Sequence, residues 1–316
     1  MDYNFKAIRL KDRDIVLKFL NLNKETELYP YYLNPSYLEF MSNGAYKYAI
    51  VDVDGDEVFV CIKDIKIFST KYWRLLGYPI SLSGNRENED KVYADITGLE
   101  NVRQGYINEH QLYRIGKTKE DFEDFIDIDF CSVIEDRVKY VSTSKYRSKN
   151  RLNIYKDKLT YRQANKDDIE AIRGIREGWV FDKKSNKKSV HSLRLVTNMF
   201  KQYDRLISED SCDKLMVLCY ENVVLGYTLI NDMGSGHYHQ LALNNLKLSS
   251  YTGDNEDIKK ILSSISKIIY YYIIKDLDNK GAKVLSHAGS VKRDNLYEFK
   301  KILYGSNLKY YKVDYR

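Results

Sequence analysis

The chain has three prolines in 316 residues and no stretch of low complexity, which argues against long structureless linkers. It has four cysteines, Cys61, Cys131, Cys212 and Cys219. They make no Cys-x-x-Cys pair and have no metal-ligand spacing, so buried free thiols are expected in place of a redox or zinc role. Long apolar runs are missing too. The longest, residues 268–274, is far shorter than the roughly 20 residues that a membrane span requires. The first residues, Met-Asp-Tyr-Asn-Phe-Lys, hold no apolar signal core, and a soluble cytoplasmic protein without a transmembrane segment is expected.

What the chain does have is material for cores. Apolar residues make up 43% and aromatics 13%, with 29 tyrosines, so wholesale disorder is excluded. The length fits two domains of about 150 residues each. The net charge of +6 is unevenly placed. Residues 120–136 carry acids and no base. Residues 137–162 carry Arg137, Lys139, Lys145, Arg147, Lys149, Arg151, Lys156, Lys158 and Arg162 against a single acid, Asp157. Such a run is either a solvated face or a strip that meets a polyanion such as tRNA.

The pattern of elements repeats. The first half reads as a strand over 3–10, a helix from Asp14, a helix from Pro35, and strands 46–53 and 57–62 joined by Asp54-Gly55-Asp56. A strand at 73–80, a loop and short helix at 98–106, an acidic helix at 118–126 and a buried strand at 128–134 follow. The second half begins again with a strand at 159–163 and a helix from Asp168 to about Gly178. A helix over 190–209 comes next, then strands 214–220, 223–230 and 237–243. Residues 254–316 close the chain. They read as a long helix carrying Ile258, Ile261, Leu262, Ile265, Ile268 and Ile269, a strand at 282–287, a helix at 295–303 and a strand at 308–315. Antiparallel hairpins followed by a crossover helix and a parallel strand make a mixed α/β sheet.

Three stretches and this strand order carry a resemblance. They are Tyr146-Arg147-Ser148-Lys149-Asn150-Arg151-Leu152-Asn153, Trp179 after the first helix of the second copy, and Gly289 followed by Asn295-Leu296 and Phe299-Lys300. The sequence resembles the C-terminal domain family of phosphatidylglycerol lysyltransferases and the related Fem-type aminoacyl-tRNA-dependent transferases. The resemblance implies two GNAT-like domains in tandem. A degenerate N-terminal copy (1–145) and a basic linker (146–158) would precede a C-terminal copy (159–316) with the active site. It implies acyl or aminoacyl transfer from acyl-CoA or aminoacyl-tRNA. The acceptor would be an amine or hydroxyl on a small molecule, a lipid headgroup or a macromolecule. Two departures stand out. The glycine-rich Q/R-x-x-G-x-G/A signature of acyl-CoA enzymes is absent, since 246–254 hold only Gly253, and Lys301 stands where ordinary GNAT enzymes place a tyrosine.

Acyl transfer to an amine needs a place for the carbonyl oxygen and a group that takes the amine's proton. In this fold the place is the splay between strands 237–243 and 282–287. His287, at the end of a strand before Ala288-Gly289-Ser290, is the first catalytic candidate, with Ser290 in the turn. His239 shares one strand face with His237 and is the second. Gly253 and Asn255, at the start of the long helix, either hold a donor phosphate or simply cap the helix. Lys292 and Lys300 are candidates for donor binding, Lys300 from the resemblance alone. Arg147, Lys149 and Arg151 are candidates for nucleic-acid or substrate contact, and Trp179 either lines a pocket or belongs to the core. No metal site is expected. Two other functions fit the same residues: a non-catalytic nucleic-acid-binding module using the basic linker, and an inactive tandem scaffold.

Overall fold

A computed structural model describes residues 1–21, 33–41, 44–67, 69–123, 125, 127–143, 146, 149–185, 197–289, 300, 301 and 303–315. The chain divides into two compact units, Met1–Cys131 with Ala288–Arg316, and Ser132–His287. Among the described residues no helix is long and apolar enough to cross a membrane.

The first unit holds strands β1 (Lys6–Ala7), β2 (Tyr46–Val53), β3 (Asp56–Ile67), β4 (Thr70–Leu76), β5 (Ile80–Ser81), β6 (Val102–Asn108) and most of β7 (Asp127–Val133). The last strand of the chain, β13 (Ser306–Asp314), also lies here, antiparallel to both β6 and β7. Helices α1 (Arg13–Leu20) and α2 (Pro35–Met41) follow β1, and α3 (Arg86–Gly98) precedes β6, which runs parallel to β4. The Asp54-Gly55 turn forms as expected. Both residues have positive φ (56° and 82°), the conformation in which a two-residue loop matches strand twist, and Val53 pairs with Asp56 across it.

Two expectations fail in this unit. A loop and short helix were expected at 98–106, where residues 102–108 form β6, whose parallel partner β4 is distant in sequence. The acidic helix expected over 118–126 is only a 3₁₀ turn, Lys119–Asp121. There the Asp121 carboxylate accepts from the Thr118 backbone N–H at 2.7 Å. That local bond competes with helix propagation.

The second unit orders its strands β12 (Val284–Gly289), β11 (His237–Asn245), β10 (Val223–Gly234), β9 (Asp213–Tyr220) and β8 (Leu159–Gln163), antiparallel except for β11 and β12. Its helices are α4 (Ile134–Ser142), α5 (Lys149–Tyr155), α6 (Ile169–Ser185), α7 (Tyr203–Leu206), α8 (Glu256–Leu262) and α9 (Ile265–Asn279). The single long helix expected after Asp254 is broken at Ser263-Ser264 into α8 and α9. Arg151 donates to both serine hydroxyls at the break. Residues 146–158, expected as a linker, contain α5, whose Leu152 and Tyr155 are buried, and the Tyr146 hydroxyl donates to the Lys267 carbonyl of α9.

α6 and α9 both pack on β10 and β11. α9 buries Ile268, Ile269, Tyr270, Ile273, Ile274 and Leu277. It approaches β10 so closely at Gly226 that a Cβ there would lie 2.6 Å from Ile269 Cδ1, and a larger residue would have to displace the end of that side chain. The opposite face of β10 belongs to α6, since the charge of Arg176 reaches Tyr227. β11 carries a bulge. Gln240 pairs with Ile230 and Ala242 with Leu229, which leaves Leu241 as the extra residue.

Candidate active site

Among the described residues, β11 and β12 pair in parallel through His237–Val284, Tyr238–Leu285 and His239–Ser286. Beyond His239, β11 continues to Asn245 paired with β10 alone. Among the described residues, the edge of β11 beyond that point has no neighbouring strand, beginning beside the bulge. This is the splay that the sequence predicts between the fourth and fifth strands of the second copy. At its far end, Asn244, Asn245, Lys247, Leu262 and Ile265 border a cavity of about 300 Å³. Burial pulls the Lys247 ammonium below its ordinary pKa.

On the α9 face of the splay, six groups form one buried hydrogen-bonded chain. Gln240 Nε2 donates to Thr228 Oγ1 at 3.2 Å, and Thr228 Oγ1 donates to the Ala242 carbonyl at 2.8 Å. With its N–H so used, Gln240 presents Oε1 to His287 Nδ1 at 2.7 Å. His287 Nδ1 is then the protonated nitrogen, and Nε2 accepts from the Ser132 hydroxyl at 2.8 Å. Ser132 in turn accepts from the Tyr270 hydroxyl at 2.8 Å. The bonds run in one direction from tyrosine to backbone carbonyl. Tyr270, Ser132 and Thr228 are fully buried, and His287 is 4% exposed. Each bond contributes about 1 kcal/mol net, and leaving one buried partner unsatisfied costs about 1–3 kcal/mol.

The α6 face is different. Asp213, Asn231, His239 and Ser286 are paired residue to residue across β9, β10, β11 and β12. All four are buried. Asn231 Nδ2 donates to Asp213 Oδ1 at 2.7 Å, and Arg205 forms an ion pair with the other carboxylate oxygen. At the opposite end of the row the Ser286 hydroxyl is buried and has no hydrogen-bond partner among the described residues.

The expected site residues are thus only partly brought together. His287 and His239 flank the same splay on opposite faces. Asn255 caps α8, accepting from Asp257 N and Ile258 N at 3.0 and 3.2 Å. Gly253 lies beneath the ring of Tyr251, where a Cβ would come within 2.6 Å of Cζ. Lys300 is in the first unit, 7% exposed, with Nζ 6.0 Å from the Phe130 ring centroid. Lys149 donates to the Ser142 carbonyl, and Arg151 is held at the helix break. Trp179 falls within α6, but its side chain lies outside the described residues, as do Arg147, Ser290, Lys292 and most of the helix expected at 295–303. Three of the four cysteines are buried free thiols. Among the described residues no group of His, Cys, Asp or Glu is placed to hold a metal ion.

Sequence reasoning missed Ser132, Tyr270, Gln240, Asp213, Asn231 and Ser286. A signal existed for several of them: a polar residue inside an otherwise buried strand, such as Gln240 beside Leu241-Ala242. Such a residue has to find a partner.

No family model matches the sequence, and no curated protein does. Solved structures do. A conserved protein of unknown function from Bacteroides thetaiotaomicron VPI-5482 superposes with a TM-score of 0.67 at 12% identity, over 99% of both chains. FemX gives 0.60 at 13% identity, over all of this chain and 97% of that one. The C-terminal domain of a putative lysylphosphatidylglycerol synthetase from Agrobacterium fabrum gives 0.58 at 9% identity, over 96% of this chain and 93% of that one. The fold is tandem GNAT-like. At such identities the likeness speaks for the fold alone.

Proposed function

We propose that this chain is a transferase that moves an acyl or aminoacyl group to an amine or hydroxyl at the β11–β12 splay. The observation that carries the reading is the coincidence there of three things: a strand edge that no described strand covers, a bulge, and buried histidines on both faces. An extended donor arm pairs with the free edge of β11, as an added strand would, and reaches the cavity at Asn244–Lys247. A backbone N–H near Leu241 receives the carbonyl oxygen as it gains charge. The His287 network has every bond made within the protein. Its role is to hold β12 against β11 at the point of divergence, which fixes the width of the splay and so the distance between donor and acceptor. His287 is a positioning residue in this reading.

The fold of FemX and of the lysylphosphatidylglycerol synthetase domain supports an aminoacyl-tRNA donor, and the missing glycine-rich signature weighs against acyl-CoA. The acceptor is then a lipid headgroup, a peptide or a small amine. Incubation with radiolabelled aminoacyl-tRNAs and with labelled acetyl-CoA tests this. Consumption of the aminoacyl-tRNA ester faster than its spontaneous hydrolysis, in the presence of amine acceptors, is expected. No turnover of either donor, and no rise in melting temperature with either, would remove the proposal.

A further inference from the structure

The two units repeat one arrangement. In the second, β11 is followed by the helix α9 and the parallel strand β12; in the first, β4 is followed by α3 and the parallel strand β6. Trp73 and Leu75 of β4 pack with Val92 and Ile96 of α3, and Ile107 of β6 packs beside Tyr93 of the same helix. Side chains alternate along a strand, so Arg74, Gln104 and Tyr106 lie on the face away from α3. Arg74 and Gln104 are direct partners across β4 and β6.

The guanidinium of Arg74 holds this cluster together and decides its polarity. Nη1 donates to the Tyr106 hydroxyl at 2.6 Å and Nη2 to Gln104 Oε1 at 2.9 Å. Arginine has no acceptor, so both oxygens are turned toward its N–H groups. What the cluster has left to offer are donors: Arg74 Nε–H, the Tyr106 O–H and the Gln104 amide N–H groups. None of these bonds to a described residue, and Nε is buried, where an unbonded donor is costly. Arg74 also forms no ion pair with a carboxylate of the described residues. A cation ringed by unspent donors is completed by an oxyanion. Gln104 and Tyr106 are partly exposed, which leaves the cluster open to solvent.

We propose that Arg74, Gln104 and Tyr106 form a phosphate-binding site on the first unit, which takes the phosphate group of a phosphomonoester. Three donor groups on two strands call for a separate oxygen each, which a phosphate offers and a carboxylate does not. Binding draws Arg74 Nε–H into a bond that the described residues do not supply.

Inorganic phosphate, glycerol 3-phosphate and AMP are the probes, with acetate as the carboxylate control. ¹H–¹⁵N spectra of the intact chain follow the arginine Nε–H groups, and Arg74→Lys identifies the Arg74 signal. The backbone amides of β4 and β6 report binding in every variant. A saturable shift of Arg74 Nε–H with phosphate is expected. Tyr106→Phe, which keeps the ring, and Arg74→Lys, which keeps the charge, each raise the Kd about tenfold, the effect of losing one good hydrogen bond. Tyr106→Phe decides alone if Arg74→Lys folds poorly. A tighter Kd for glycerol 3-phosphate or for AMP than for inorganic phosphate names the kind of ester. No saturable shift, a Kd unchanged in either variant, or acetate bound as tightly as phosphate would overturn the assignment. The spectra read the first unit alone, so donor turnover at the splay does not enter the outcome.

Discussion

The two faces of the sheet at the β11–β12 splay are built from the same residue types, a serine and a histidine with an amide behind them, and are finished differently. On the α9 face the serine is bonded on both sides, to Tyr270 and to His287, and the line ends on a backbone carbonyl. On the α6 face the line starts from an ion pair and ends on a bare hydroxyl. A closed network adds rigidity and offers nothing to a ligand; an open one carries a standing cost that binding relieves. The difference teaches that two buried serines, one residue type on two faces of one sheet, can be finished differently by their neighbours.

Four changes put that contrast to the test. Asp213→Ala leaves Arg205 and Asn231 facing an empty place in the sheet. Removing one member of a buried ion pair is expected to cost about 3 kcal/mol, read from urea unfolding. A loss under about 1 kcal/mol would mean that the row is not anchored at that end. Ser132→Ala breaks the closed network and strands the His287 lone pair and the Tyr270 hydroxyl. Its expected cost is about 2 kcal/mol in the same experiment, with a lowered melting temperature.

The third change lies away from both faces. Burial pushes the Asp168 carboxyl up, but the Arg162 side chain, the Asn165 N–H and the arginine charge outweigh it and leave the group below its ordinary 3.8. A pKa depressed on folding stabilises the protein above the unfolded value and loses that contribution as pH falls through the folded one. Asp168→Asn should remove roughly 1 kcal/mol at neutral pH, a figure kept small because Arg162 is partly exposed. It should also flatten the acid limb of a stability–pH curve below about pH 4. An unchanged acid limb in the variant would place the acid sensitivity elsewhere. Last and smallest, Ser286→Ala deletes a hydroxyl that bonds to none of the described residues. Stability should stay within about 0.5 kcal/mol or rise. A loss as large as that of Ser132→Ala would erase the distinction between the faces.

How much of this was legible beforehand follows from where each constraint resides. The Asp54-Gly55 hairpin was readable because its chemistry is local: two adjacent residues must accept positive φ. The splay was located from strand order, and both histidines at its edges were named. β6 was not readable, because its pairing with β4 and β13 comes from distant parts of the chain. The break between α8 and α9 was missed because the apolar spacing runs through it unbroken. The serines and the arginine that mark it lie 112 and 113 residues apart. The polar rows were hidden for a similar reason. Asp213, Asn231, His239 and Ser286 sit on four separate strands, and only their register reveals a line.

The bulge at Leu241 acts as a switch of parity along β11. Up to Gln240 the even-numbered side chains look toward α9. Past the extra residue the count is reversed, so that the odd-numbered Asn245 reaches Ser266 beside α9 and the even-numbered Asn244 reaches Tyr227 on the α6 face. A strand without Leu241 could put either His239 and Gln240 or Asn244 and Asn245 on their proper faces, but never both pairs. One residue thus lets a single strand address the splay with one phase of its alternation and the cavity beyond it with the other.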